Sequence, residues 1–113
     1  MAGDWIKMKA ALHTDPAVIA IATATGLDSY AVVGRLHALW AWADSHTEDG
    51  FARGVFVPWL SHHLSHETFV DALISVGWLC VETDGIRIPN FTRHMGQAAK
   101  KRAAESDRKR TYR

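Results

Sequence analysis

Residues 66–91 read HETFVDALISVGWLCVETDGIRIPNF, and this stretch decides the fold. Ser65 precedes its first half as a candidate helix cap, and Gly77 ends that half. Between them, apolar residues at helical spacing form an inward face of Phe69, Ala72, Leu73 and Val76. In the second half, polar and apolar residues alternate on both sides of the turn TDG at residues 83–85. The stretch therefore predicts a helix followed by a β-hairpin.

The segments upstream predict a long helix, a short strand and a short helix. The long helix opens at Asp28 and covers SYAVVGRLHALWAWADSH. Its apolar stripe consists of Val32, Val33, Leu36, Leu39, Trp40 and Ala43. The opposite side also carries little charge, so we expect this helix to be central and buried. FARGVFV at residues 51–57 then predicts a strand, and Pro58 begins the short helix PWLSHHL.

The N-terminal part of the chain predicts one strand and one helix. Weak alternation over residues 5–9 predicts the strand. TDPAVIAIATATG at residues 14–26 predicts the helix, because Asp15 or Thr14 can accept its first backbone N–H groups. Pro16 suits its first turn, and Gly26 can close it in a left-handed conformation.

The order of these elements indicates a fold. From Ser29 it runs helix, strand, helix, helix, strand, turn, strand, which is the order of a helix-turn-helix with a β-hairpin wing. The sequence therefore predicts an α+β winged-helix domain over residues 1–92, with an extra N-terminal strand and helix. Residues 93–113 form a basic C-terminal extension. After residue 95 they include helix formers but no large aliphatic side chain, so we expect a solvated helix or a disordered tail.

Charge is distributed unevenly between these two parts. Residues 1–92 contain five basic and ten acidic residues, a formal net charge of −5, whereas residues 93–113 contain eight basic and two acidic residues, a formal net charge of +6. An acidic body with a basic tail is typical of a protein that binds a polyanion, or of a tail that contacts its own acidic body.

The composition excludes several classes of protein. Cys80 is the only cysteine, which rules out an internal disulfide and fits a reducing compartment. The N-terminus MAGDWIKMKA lacks the apolar run of a signal peptide, and no stretch approaches the roughly 20 apolar residues of a membrane span. We therefore expect a soluble cytoplasmic protein that does not contact membranes.

Five pieces of the chain carry a resemblance: DWIKM, TDPAVIAIA, GRLHALWAWADSHTEDG, ALISVGWLCVETDGIRIPNFTRHMGQAAKKRA and DRKR. Together they resemble the N-terminal domains of phage and prophage replication proteins of the replisome-organiser type, which have a DnaD-like winged helix. The resemblance covers nearly the whole chain. It implies a winged-helix fold, self-assembly of the domain, and a role at a phage replication origin where host replication proteins such as a helicase or its loader are recruited. In that family a further C-terminal region often follows.

The candidate DNA contacts lie mostly in the extension. The second helix of a helix-turn-helix usually enters the major groove, but here it has no Lys or Arg and presents Glu67 and Asp71, which argues against base readout. Arg87 could reach a phosphate from the hairpin, although Glu82 and Asp84 flank it and a solvated hairpin explains it equally well. The candidates in the extension are Arg93, Lys100, Lys101, Arg102, Arg108, Lys109, Arg110 and Arg113. If these residues bind DNA, they contact phosphates and carry little sequence information; the alternative is that they only keep the protein soluble.

Two features indicate association with a partner. Trp5 and Trp59 are candidates for a partner surface, since large exposed aromatic side chains tend to be used in this way. The second side of the long helix, with Ala31, Arg35, Ala38 and Trp42, contacts either the first helix or a second subunit. A symmetric dimer is the default form of such an assembly.

No pattern for catalysis, a metal or a cofactor stands out. His62 and His66 have zinc-ligand spacing, but the chain contains neither HExxH nor paired cysteines, and a polar turn between two helices explains these histidines more simply. We expect Cys80 to lie on a half-buried strand and to serve packing rather than chemistry. There is no glycine-rich phosphate loop. We therefore expect a protein that is not an enzyme and holds no metal or cofactor.

Two other functions remain open. One is a protein-interaction adaptor, of the helicase-loader type or an inhibitor of a host protein, that does not bind DNA directly. The other is a winged-helix transcriptional repressor, against which the acidic second helix argues.

Overall fold

In the computed structural model of this chain the described residues are 5–91, which form an α+β fold of four α-helices and a three-stranded antiparallel sheet. The helices are α1 (Pro16–Thr25), α2 (Ser29–His46), α3 (Val57–His63) and α4 (Phe69–Ser75), with a 3-10 turn at Leu12–Thr14 before α1. The strands are β1 (Phe51–Arg53), β2 (Cys80–Glu82) and β3 (Gly85–Arg87). The predicted long helix, the hairpin and the strand near residue 51 are confirmed.

Side-chain caps fix the N-terminal ends of the first two helices. The Asp15 carboxylate accepts a hydrogen bond of 2.8 Å from the backbone N–H of Ala17, so Asp15 caps α1. Asp28 caps α2 through the N–H of Ala31, at 2.7 Å. Gly26 ends α1 with φ at 76°, the left-handed region that glycine adopts without steric cost. These contacts are local in sequence, which is why the boundaries of α1 and the start of α2 were predictable.

The predicted N-terminal strand is wrong. Residues 5–9 have no regular secondary structure. Ile6 and Met8 are half-buried against the core, while Trp5, Lys7 and Lys9 are exposed. The alternation in the sequence thus reflects the packing of every second side chain on the core. It does not reflect a strand, since none of the strands described for residues 5–91 pairs with this segment.

The predicted start of the fourth helix is also wrong. Ser65 does not cap α4, because its φ of 55° places it in the left-handed region, in the turn that ends α3. Residues 67–68 form a further turn, and α4 begins only at Phe69. Gly77, at φ 78°, follows the helix as predicted. The chain therefore makes a longer connection between α3 and α4 than the sequence indicates.

The core lies between α2, α1 and α4. Its fully buried side chains include Val18, Ile21, Val32, Leu36, Leu39, Leu60, Phe69 and Leu73. Helix α1 packs against both α2 and α4. Val70 of α4 is completely buried as well, although it was not part of the predicted inward face. Because α4 is covered on more than one side, only a narrow strip of it reaches solvent.

The sheet has the order β1-β3-β2, and its two faces differ sharply. Ala52, Ile86 and Val81 are aligned across the three strands and share one face. Ala52 and Ile86 are buried in the core, whereas Val81, on the edge strand β2, is 54% exposed. Phe51, Arg87 and Cys80 are aligned on the opposite face, which we call the outer sheet face.

Cys80 is exposed on the outer sheet face, and Val81 and Glu82 are exposed as well, so the expectation of a half-buried strand in which Cys80 serves packing is wrong. Its neighbour Leu79 takes the buried position instead, with 1% exposure. All of β2, which lies at the edge of the sheet, is exposed, and burial begins at the residue before it.

Candidate nucleic-acid and partner interfaces

Helix α4, which the sequence predicts as the second helix of a helix-turn-helix, presents an acidic strip to solvent. The exposed side chains of this helix and of the turn before it are Glu67, Thr68, Asp71, Ile74 and Ser75. No basic residue lies among them. Since carboxylates repel phosphates, this strip offers DNA no favourable charge.

Arg87 of β3 is held between two carboxylates of its own domain. Its Nε donates a hydrogen bond of 2.6 Å to Oε2 of Glu82, and its Nη1 lies 3.8 Å from Oδ2 of Asp49. The hydrogen bond to Glu82, with the nearby negative charges, raises the pKa of the Arg87 guanidinium further above its ordinary value. The side chain stays cationic but is already engaged. The DNA contact that the sequence assigns to Arg87 would require a phosphate to displace Glu82 and Asp49.

The second arginine of the outer sheet face is paired in the same way. Nη1 of Arg53 lies 3.4 Å from Oδ2 of Asp84. The guanidinium carbons of Arg53 and Arg87 lie 5.8 and 4.8 Å from the centre of the Phe51 ring, within cation–π range. Three carboxylates therefore meet two guanidinium groups around this ring, and the outer sheet face has no excess of positive charge.

The other predicted DNA contacts lie outside the described residues. These are Arg93, Lys100, Lys101, Arg102, Arg108, Lys109, Arg110 and Arg113. Residues 5–91 contain five basic and nine acidic residues, a formal net charge of −4. Any attraction of this protein for a polyanion must therefore overcome an acidic domain.

Four aromatic rings form a continuous row on the surface of α2 and α3. The rings of Trp42 and Trp59 are 5.1 Å apart at 45°, which joins the two helices. His46 stacks on Trp42 at 5.1 Å and 15°, and His63 stacks on Trp59 at 4.8 Å and 10°. We call His46, Trp42, Trp59 and His63 the aromatic row.

The aromatic row is accessible to a partner. Trp59 is 42% exposed, and Phe56, the residue before α3, is 45% exposed. The Nδ1 atom of His46 donates a hydrogen bond of 2.9 Å to the carbonyl oxygen of Trp42, which holds one end of the row in place. The sequence singled out Trp59 but missed the two histidines. Their four-residue spacing from a tryptophan in the same helix is the signal that could have found them.

On the second side of α2, two residues contact a neighbour that the sequence did not predict. Trp42 meets Trp59 of α3, and the Arg35 guanidinium donates to the carbonyl oxygens of Leu64 and Ser65. This side of α2 therefore packs against α3 and the turn that follows it.

Residues 5–91 contain no metal-ligand cluster and no single helix that could span a membrane. No three His, Cys, Asp or Glu side chains in this range are placed to share a metal ion, and His62 and His66 gain no third ligand there. No single helix of the same range is long and apolar enough to cross a membrane; α1 and α2 satisfy that test only as a pair bent by 104°.

Comparison of the chain with protein-family models, with curated proteins and with solved structures finds no match. Its function must therefore be inferred from its own residues and geometry.

Proposed function

We propose that this chain is a winged-helix module of a phage-type replication-initiation protein. In this proposal its folded domain associates with a second copy or with replication proteins, and its basic tail holds DNA. The order α2, β1, α3, α4, β2, β3 and the pairing of β1 with the hairpin strand β3 are compatible with a winged helix. The resemblance of five sequence pieces to replisome-organiser proteins supports the replication role.

The separation of charge carries the proposal. The domain is acidic, α4 exposes carboxylates, and the two arginines of the outer sheet face are paired with Glu82, Asp49 and Asp84. Eight basic residues stand together in residues 93–113. A chain with this distribution binds DNA through its tail, by counterion release and without reading bases.

The aromatic row supplies the associating surface. Trp59 and Phe56 are large apolar side chains that remain exposed in the single chain, and aromatic anchors of this kind dominate the energetics of protein interfaces. A domain whose helix-turn-helix is too acidic to bind DNA is then free to serve assembly. A twofold dimer is the simplest arrangement that covers the row on both copies.

Fluorescence anisotropy with labelled duplex and single-stranded DNA over a salt series tests the tail assignment. If half of the eight basic residues contact phosphates of duplex DNA, the log–log salt slope is about −4. Deletion of residues 100–113 is expected to abolish binding. An affinity and salt slope that survive the deletion would contradict the proposal.

A protein-interaction adaptor is the second candidate, because the exposed aromatic row and the acidic domain are what such a protein needs. An adaptor would show no DNA binding at physiological salt, while a repressor would prefer one short sequence and keep that preference at raised salt. The same anisotropy series separates all three functions.

A further inference from the structure

A cavity of about 340 Å³ lies between the N-terminal segment and the end of the hairpin. Its walls are mostly apolar and include Met8, Leu12, Trp40, Trp78, Ile88 and Phe91. The volume is near the lower end of the range of ligand pockets, roughly 300 to 1,000 Å³, so it has room for one or two side chains. We call it the Trp40–Trp78 pocket.

Two indole rings give the pocket its shape. Trp40 of α2 and Trp78, just before β2, lie 6.0 Å apart between ring centres and are tilted by 49°. Both rings are only partly buried. A wedge of this kind accepts a flat or branched apolar side chain, which would cover the part of each ring that still faces solvent.

The edge of the pocket carries the two lysines of the described domain, Lys7 and Lys9. Nζ of Lys9 lies 4.0 Å from Oδ2 of Asp15, whose other oxygen accepts the N–H of Ala17. Lys7 is exposed and forms no ion pair among residues 5–91. With two lysines and one aspartate the pocket has a formal charge of +1.

The rest of the described domain offers a negative ligand no comparable place. Arg53 and Arg87 are paired with carboxylates, and Arg35 is bound to backbone carbonyl oxygens. Lys7 is therefore the one cation of residues 5–91 that stands beside an apolar cavity without an acceptor of its own. An anion that approaches elsewhere on this domain meets an excess of carboxylates, so charge directs it to the pocket.

We propose that the Trp40–Trp78 pocket binds an acidic peptide segment of a partner protein. A large apolar side chain of the peptide enters between Trp40 and Trp78, and a neighbouring carboxylate pairs with Lys7. The residues that form this site belong to the described domain, whereas the proposed DNA contacts belong to residues 93–113, so the two proposals rest on different side chains.

The test uses the full chain and a labelled hexapeptide, Asp-Asp-Leu-Phe-Asp-Glu. Proton–nitrogen NMR spectra follow the five tryptophan indole N–H signals during titration. Signals of Trp40 and Trp78 are expected to shift, while those of Trp42 and Trp59 stay in place. One control peptide replaces Leu and Phe by Ala, and another replaces each acid by its amide; both are expected to bind more weakly.

A matched pair of variants distinguishes a local contact between Lys7 and the peptide from a general electrostatic attraction. Lys7→Gln is expected to weaken peptide binding roughly two- to fivefold, the range of a single exposed ion pair. Arg53→Gln removes the same charge from another exposed side chain and is expected to change the affinity little. Unmoved Trp40 and Trp78 signals, equal effects of the two variants, or full binding of the alanine peptide would overturn the proposal. Loss of peptide binding with intact DNA binding leaves the proposed function standing, so the two can fail separately.

Discussion

Nε of Arg35, in the middle of α2, donates a hydrogen bond of 2.8 Å to the carbonyl oxygen of Leu64 at the C-terminal end of α3. The same guanidinium also donates to the carbonyl oxygens of Ala31 and Ser65, at 3.3 and 3.4 Å. A single charged side chain thus satisfies backbone acceptors in the turn between α3 and α4. That turn contains the left-handed Ser65, and it is held both by backbone hydrogen bonds to α3 and by this side chain of α2.

Replacement of Arg35 by methionine is expected to lower the free energy of unfolding by roughly 1 to 3 kcal/mol, because it removes the side-chain donor from the part-buried carbonyl oxygen of Leu64. Urea denaturation measures this loss. Arg53→Gln is the control, since this exposed ion pair contributes no more than about 1 kcal/mol. Equal effects of the two substitutions would show that the Arg35 contacts add nothing to stability.

Two glycine substitutions are expected to change the stability of the domain in opposite directions. A Cβ at Gly85, in the central strand, would collide with the backbone carbonyl oxygen of Ala52, so Gly85→Ala should destabilise the domain by about 1 to 3 kcal/mol. Gly34 lies inside α2 with open space around it, and Gly34→Ala should stabilise by up to about 1 kcal/mol. Thermal unfolding of both variants measures the two effects, and a stabilising Gly85→Ala would contradict the close packing of β3 against Ala52 of β1.

Replacement of Trp59 by serine is expected to weaken association of the domain by roughly thirtyfold or more, the size of an interface hot spot of about 2 kcal/mol. Light scattering over a concentration series measures it. Tyr30→Ser is the matched control, because Tyr30 is an aromatic residue of α2 that is 73% exposed and lies outside the aromatic row. A wild-type domain that stays monomeric at high concentration would remove the assembly role.

Arg87 and the lysines of the tail are expected to differ in DNA binding. Neutralising Lys100 and Lys101 should reduce the steepness of the salt dependence by about 0.9 for each phosphate contact that is lost. Arg87→Gln should leave the slope unchanged, because Glu82 and Asp49 already occupy its guanidinium. A slope that falls with Arg87→Gln, but not with the lysine substitutions, would place the DNA contact on the hairpin instead.

The sequence was a reliable guide wherever structure depends on near neighbours. Asp15 and Asp28 accept N–H groups two and three residues ahead, and the hairpin turns within the four residues from Glu82 to Gly85. Such contacts form in the same way whatever surrounds them, so their residue types can be read directly from the chain.

The expectations that failed depend on distant parts of the chain. Residues 5–9 have the alternation of a strand but no strand beside them among the described residues, and Ser65 has the chemistry of a helix cap but serves in the end of α3. Cys80 is exposed together with the rest of the edge strand β2. None of these facts follows from a short window of sequence.

The candidate interfaces show the same division. The excess of basic residues after residue 92 and the absence of Lys and Arg from α4 are visible in the sequence alone. The aromatic row and the Trp40–Trp78 pocket are not, because each needs two tryptophans from different segments to meet after the helices have packed.

Each strand of the sheet is only three residues long, and β1 and β2 are its two edge strands. Edge strands this short present very few free amide and carbonyl groups. A second copy that paired its own strand with one of these edges would therefore gain little affinity. Association of residues 5–91 with a second copy would therefore have to use side chains. That restriction favours discrete complexes of defined stoichiometry over open-ended fibrils.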